Sequence, residues 1–408
     1  MSNKILKFII TLLFLNCNFA LSSNYKYDLT VLGEINYDGG LTRIGLSIVE
    51  CLHPYLKINY IRTPRGKLNL SSSISEEVKS IIKNVDTSPG KVAFFVDTFD
   101  NFNAKKIYKP IQSKIKIAYT MLESTLIPKE WVNEINLDFD AVVVPDDFLV
   151  KVYKDSGVMV PIFVLPLCMY LDDFLTTPIK SNAHTPFTFG VAATFINRKN
   201  NLKLFQAFVE EFGNDENFLL KMHGRYGYEN DILRKKIKKM KIRNVKICDH
   251  QISQQQYIKF LKSLDCYVYI SKGEGFSLTP REAMALGIPC ILTDNTAQST
   301  ICKSDLVESI PSNIKQDFWL RKKKCGFCFD CDIKDVKKAM RKIYTNYSIY
   351  LSKSLLMRKW VKKYCIKSLS KHFLMLIKPT KIILGDKNVI TKSYMMTDSI
   401  KLYQKFKN

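Results

Sequence analysis

Short, almost wholly apolar runs alternate with segments of helical spacing along most of this chain, and that alternation limits the possible folds more than any other feature. Residues 29–33, 92–96, 115–119, 141–144 and 162–165 are such runs, and residues 42–56 set Ile44, Ile48 and Leu52 on one helical face. A strand covered by helices on both sides has no polar face, so it reads as a continuous apolar run. The expected fold class is therefore α/β, with a parallel sheet covered on both faces. Residues 176–186 are polar and hold Pro178, which marks an interdomain linker. The pattern then restarts, with strands expected at 187–193, 217–222, 245–248, 266–270 and 289–293. Helices are expected between them at 201–212, 230–241, 253–264 and 280–286. This order implies two doubly wound Rossmann-like domains facing across a cleft, with the site between them. Helices over 335–350 and 352–377 would close the structure. The expected divisions are 1–22, 25–178 for the first domain, 186–350 for the second, 351–378 for the closing helices and 379–408 for a basic tail.

The first 22 residues resemble an export signal or a short anchor. Lys4 and Lys7 precede an apolar run from Phe8 to Leu15, and Ala20-Leu21-Ser22 fits a small-x-small cleavage site. The run is too short to span a bilayer, which takes about 20 residues. The 11 cysteines point the other way. Cys51, Cys168, Cys266 and Cys290 lie in or beside apolar stretches, as buried small hydrophobes do, which suits a reducing compartment. Localisation is left as a conflict between these two signals. Cys325, Cys328 and Cys331 form a CxxCxxC run without the fourth ligand that structural zinc takes, so no metal site is expected there.

The net charge is +24, from 62 Lys and Arg against 38 Asp and Glu. Such a surplus implies a polyanionic partner. The densest run, Arg234 to Arg243, surrounds a helix on all sides and has no interleaved aromatics for base stacking. Nucleic acid is therefore disfavoured, and peripheral contact with an anionic membrane fits the spread of charge better.

The segment richest in chemistry runs from Ser271 to Pro289. A strand ends on a glycine-containing loop, and a helix is expected to start near Pro280, a residue suited to a first turn. The amides of Gly275, Phe276, Ser277 and Leu278 would then face an anion, helped by the helix dipole. Glu274 in the loop and Glu282 in the helix could grip hydroxyls on either side of a phosphate. A nucleotide sugar offers that arrangement.

The stretch resembles the E-x7-E motif of the retaining, GT-B fold glycosyltransferases of family four, the glycosyl transferases group 1, with the surrounding Gly275-Phe276 and Glu282-Ala283-Met284-Ala285 wording nearly intact. The resemblance extends from about Leu29 to Leu376. It implies that Glu274 contacts the donor sugar, Glu282 the ribose hydroxyls, and the four amides the phosphates. Gly39 and Gly40, after the first strand, are similar to the family's N-terminal glycine loop. Asn197-Arg198-Lys199-Asn200 resembles the diphosphate-binding segment, with Lys199 as the matching lysine. The family's usual arginine falls near Thr194, so Arg198 is the substitute. The usual Ser after Val-Pro is Asp146 here, and Cys168 stands in a stretch that usually reads Pro-His-Gly-Val-Asp. Lys221, His223 and Gly224 could line the donor pocket, and His250 could approach the base.

The resemblance implies metal-independent transfer of a hexose or other sugar from a nucleotide-sugar donor to a glycan, lipid or protein acceptor, with retention and without a cofactor. Lys199 and Glu274 would be catalytic. The rival is a catalytically silent GT-B domain acting as a membrane- or glycan-associated binding module, motivated by Thr194 and Cys168.

Overall fold

The computed structural model describes residues 25–35, 40–63, 74–99, 105, 106, 108–224 and 227–378. The expected segment 1–22, the tail 379–408 and Gly39 lie outside the described residues.

The first sheet holds β1 (Tyr27–Glu34), β2 (Ile58–Thr63), β3 (Gly90–Val96), β4 (Ile115–Tyr119), β5 (Ala141–Val144) and β6 (Ile162–Val164). They run in the order β2-β1-β3-β4-β5-β6, every pair parallel. The apolar runs became strands because both faces are covered, as the wholly buried β5 shows. β2 is not legible as a strand from its sequence because Asn59 and Arg62 interrupt it. Asn59 is nevertheless buried, its amide donating to the carbonyls of Asp86 and Ser88 at 2.8 and 2.9 Å. The covering helices include α1 (Gly40–Leu52), α2 (Glu76–Lys83), α3 (Lys129–Asp138), α4 (Asp147–Ser156) and the short α5 (Asp172–Thr176). Asp146 caps α4 by accepting from the Phe148 amide, and Gly157 ends it in the left-handed region at φ 101°.

The second sheet holds β7 (Phe187–Ala192), β8 (Phe218–His223), β9 (Val245–Cys248), β10 (Cys266–Tyr269), β11 (Cys290–Asp294) and β12 (Glu308–Pro311). Its order, β12-β11-β10-β7-β8-β9, is again all parallel. Helices α6 (Asn201–Phe212), α7 (Glu229–Lys239), α8 (Gln254–Lys262), α9 (Leu278–Ala285) and α10 (Gln298–Cys302) connect it. The basic helix α7 buries only Glu229 and Leu233.

Other departures from the expected pattern come late in the chain. An antiparallel hairpin of β13 (Ile314–Leu320) and β14 (Lys323–Asp330) comes after β12 and belongs to neither sheet. Its second strand carries Cys325 and Cys328, both buried, and Cys331 is buried just beyond its end. Among the described residues no group of three metal-ligating side chains is placed to hold an ion, and the cysteines are unpaired thiols.

The closing helices are α11 (Ile333–Thr345), α12 (Tyr347–Ser352), α13 (Ser354–Val361) and α14 (Ile366–Ile377). The helix expected over 352–377 is thus broken at a 3-10 turn, Lys362–Tyr364. There the Tyr364 carbonyl accepts from the Met169 amide at 2.8 Å, and Met169 bridges to Cys365. The chain's exit from the first domain and the start of α14 are thereby held side by side. From there α14 packs on α1, and Phe373 meets Phe94 and Tyr119 edge-on at 6.4 and 6.1 Å.

Candidate functional site

The site is built where β10 ends. Residues 271–277 form a buried turn, and α9 begins at Leu278, two residues before the expected Pro280. Ser277 sits at the cap position with φ 64°, and its side chain makes no capping bond. The first-turn amides are therefore not closed by the side-chain oxygen that usually caps a helix. Arg281, fully buried, braces the turn from below. Its guanidinium donates to the carbonyls of Phe276 and Ser277 and lies 3.9 Å from the centre of the Phe276 ring.

Glu274 is the hub. Its Oε1 receives Lys199 Nζ at 2.5 Å, the Ser271 hydroxyl at 2.6 Å, the Tyr269 hydroxyl at 2.9 Å and Arg198 Nη1 at 3.0 Å. Burial opposes charge on this carboxyl, but Lys199 and Arg198 outweigh it and hold the group down at about 2. Burial and the neighbouring Arg198 in turn pull the Lys199 ammonium below the usual lysine range. Arg198 also reaches the first domain, where Nη2 meets Glu123 at 2.9 Å. Its guanidinium thus bridges Glu123 and Glu274 across the cleft.

Glu282 lies on α9 and is fully buried. It accepts from Tyr257 on α8 at 2.9 Å and pairs with Arg43 on α1, again from the opposite domain. Gly40, exposed, opens α1 one turn before Arg43, and a Cβ there would meet nothing within 4 Å. Two of the turn glycines are explained by close approach. A Cβ on Gly273 would lie 2.5 Å from the Glu123 carbonyl, and one on Gly275 would lie 2.5 Å from Met121 Sδ. Glycine at these places lets the two domains touch.

The structure therefore gathers Glu274, Lys199, Arg198, Gly275, Phe276, Ser277, Leu278 and Glu282 on one side of the domain interface, with Gly40 on the facing helix. Thr194, where the family places an arginine, contributes its carbonyl to Asn201 at 2.8 Å. His223 is buried, its Nδ1 3.1 Å from the Cys248 carbonyl and its ring near Tyr257. His250 sits instead beside Cys248 Sγ at 3.7 Å. Asp146 accepts from Thr300 on α10 at 3.0 Å, another contact between domains.

Sequence reasoning missed Arg43, Tyr257, Tyr269 and Arg281. Only Arg43 carried a local signal. It is the one cation of a largely apolar helix and sits in the first turn, where the helix dipole disfavours positive charge.

Residues 176–355 match the family described as glycosyl transferases group 1. No curated protein matches the sequence. Solved structures with the same fold include Anabaena HepE in complex with UDP and glucose, at 10% identity and TM-score 0.63 over 87% of this chain and 100% of that one. Trehalose-6-phosphate synthase OtsA aligns at 10% identity and TM-score 0.60, over 86% and 99%. S. aureus TarM aligns at 15% identity and TM-score 0.55, over 70% of this chain and 55% of TarM. This chain spans little more than half the length of TarM and of the pneumococcal O-GlcNAc transferase GtfA, at 54% and 57%. At these identities the likeness establishes the fold, the GT-B arrangement of two Rossmann-like domains across a cleft.

Proposed function

We propose that this chain transfers a sugar from a nucleotide-sugar donor to a glycan, lipid or protein acceptor, with retention at the anomeric carbon. The observation that carries the reading is the buried cluster of Glu274, Lys199 and Arg198 beside an uncapped helix start, with Glu282 on the same helix. Cations and free amides in a dry site stabilise charge that develops on a departing diphosphate. Glu274, ionised at neutral pH, accepts hydrogen bonds from donor sugar hydroxyls and cannot serve as a general acid. Glu282 takes the ribose hydroxyls, and Gly40 lets the backbone approach the donor. The bond from the anomeric carbon to the diphosphate oxygen breaks, the acceptor oxygen takes its place on the same face, and the acceptor proton passes to the leaving phosphate. The reading uses no cofactor and no metal ion.

HepE and GtfA are solved with UDP, so UDP-sugars are the first donors to test. The test is release of UDP from UDP-glucose and UDP-N-acetylglucosamine by the full chain, beside calorimetric titration of UDP. Glu274→Gln is expected to lower turnover by roughly 10²–10³-fold with the fold intact. Unchanged turnover would overturn the reading. One observation favours the second reading, a silent binding module: Arg43 occupies Glu282 from the opposite domain. Absence of UDP binding in the titration would select it.

A further inference from the structure

We propose that the β13–β14 hairpin is an acceptor-holding arm and that the acceptor it fits is a negatively charged glycan; the proposal rests on the sugar-transfer reading of the Glu274 pocket. The arm's base is tied to the donor turn. Lys272 donates to Gln316 at 3.0 Å and to Asn197 at 2.9 Å, and the Phe329 amide donates to the Lys272 carbonyl at 2.8 Å. Its middle crosses the cleft. The Thr125 amide donates to the Phe327 carbonyl at 3.2 Å, and the Phe327 amide donates to Thr125 Oγ1 at 2.9 Å. Thr125 lies two residues after Glu123, the partner of Arg198. The arm therefore walls the first-domain side of the Glu274 pocket. The second domain holds the donor, so an acceptor must come from that side.

The arm's two faces differ. Phe318 and Leu320 turn inward onto the first-domain core. Trp319 turns outward and is 59% exposed, whereas Trp131 is fully buried. Trp319 pairs in register with Lys324, and Lys315 and Lys324 lie 5.6 and 5.1 Å from the Phe327 ring centre. The tip adds Arg321, Lys322 and Lys323. Arg321 and Lys322 form the turn at φ 46° and 68°, a conformation usually given to glycine or asparagine, yet both places are cationic. Over residues 314–330 the arm sets Lys315 and Arg321 to Lys324 against the carboxylates Asp317 and Asp330, with Asp317 meeting Lys324 and Glu130 of the first domain meeting Lys323. Cations thus outnumber carboxylates, and an anionic partner is the complement.

A flat indole beside lysines suits a pyranose ring that carries carboxylate, sulfate or phosphate groups. It suits a lipid surface poorly, because interfacial binding grows with apolar area and, of the arm's large apolar groups, Phe318 and Leu320 turn inward and leave Trp319 and Ile314 exposed.

The experiment uses the full chain and fluorescein-labelled polygalacturonate as the probe, followed by anisotropy. Wild type is expected to bind it, more weakly at about 0.3 M than at about 0.05 M salt. Trp319→Ala and Lys322→Glu are each expected to weaken binding roughly tenfold, and Trp319→Phe to restore most of the loss. UDP affinity should stay the same in all three variants. Equal binding of neutral dextran, unchanged affinity in Trp319→Ala and Lys322→Glu, or Trp319-dependent binding to phosphatidylglycerol vesicles in place of polygalacturonate would each overturn the arm. Absence of UDP binding in wild type, with the glycan still bound, would instead strike at the donor reading alone.

Discussion

Glu274 and Asp146 are both buried carboxylates in the cleft, and their surroundings push them in opposite directions. Glu274 has two cations within hydrogen-bonding distance, and they overcome its burial. Asp146 accepts from a hydroxyl and an amide, and burial lifts it to about 6 against the pull of Arg281. An unfolded aspartate titrates near 3.8. Between about 4 and 6 the native state therefore holds a proton that the unfolded chain has released. Stability falls as pH rises through that window and stays lower above it. Asp146→Asn keeps the acceptor oxygen for Thr300 and removes the charge. It is expected to stabilise the protein at pH 7.5 by up to about 3 kcal/mol, with the gain vanishing near pH 4. Thermal denaturation across pH 4–8 checks both halves of this expectation.

The hairpin and the strands show which elements local sequence can reveal. Apolar runs such as 92–96 and Ala141–Val144 were readable because burial on both faces leaves no polar residue to confuse the pattern. The hairpin was not, since one side faces solvent and its strands are rich in lysine. The CxxCxxC spacing of Cys325, Cys328 and Cys331 allows a strand but does not predict its antiparallel partner. In the site, Glu274, Glu282 and Lys199 stand in recognisable local wording, while Arg43 reaches Glu282 from 239 positions away and no local pattern encodes that pairing. The hairpin's docking hinges on Gly326, at φ 73°, where a Cβ would lie 2.4 Å from Thr125 Oγ1 and 2.8 Å from the Leu126 amide. Gly326→Ala is expected to cost about 1–3 kcal/mol. Faster hydrogen exchange at the Thr125 and Phe327 amides, with the sheets still protected, would report the arm lifting away.

The two domains do not have separate interiors. One apolar cluster includes Leu29 and Phe94 of the first sheet, Phe189 of the second, and Phe373 of the last helix. Phe373→Ala is expected to cost roughly 3–5 kcal/mol, read from urea denaturation. Ending the chain after Tyr364 removes Leu369, Phe373, Leu376 and Ile377, all buried, and is expected to leave residues 25–178 protease-sensitive. Joining 366–377 to residue 178 through a glycine-rich linker should restore protection to that fragment, and failure to do so would show that α14 is not its missing piece. The return of α14 to the first sheet also sets an order of events during synthesis. Residues 179–365 must be translated before the helix that completes the first domain exists. At ordinary elongation rates that is a delay of roughly 10–40 s. Through that interval the faces of α1, Phe94 and Tyr119 that α14 will cover are bare on the ribosome, so the half of the protein made first is the half finished last.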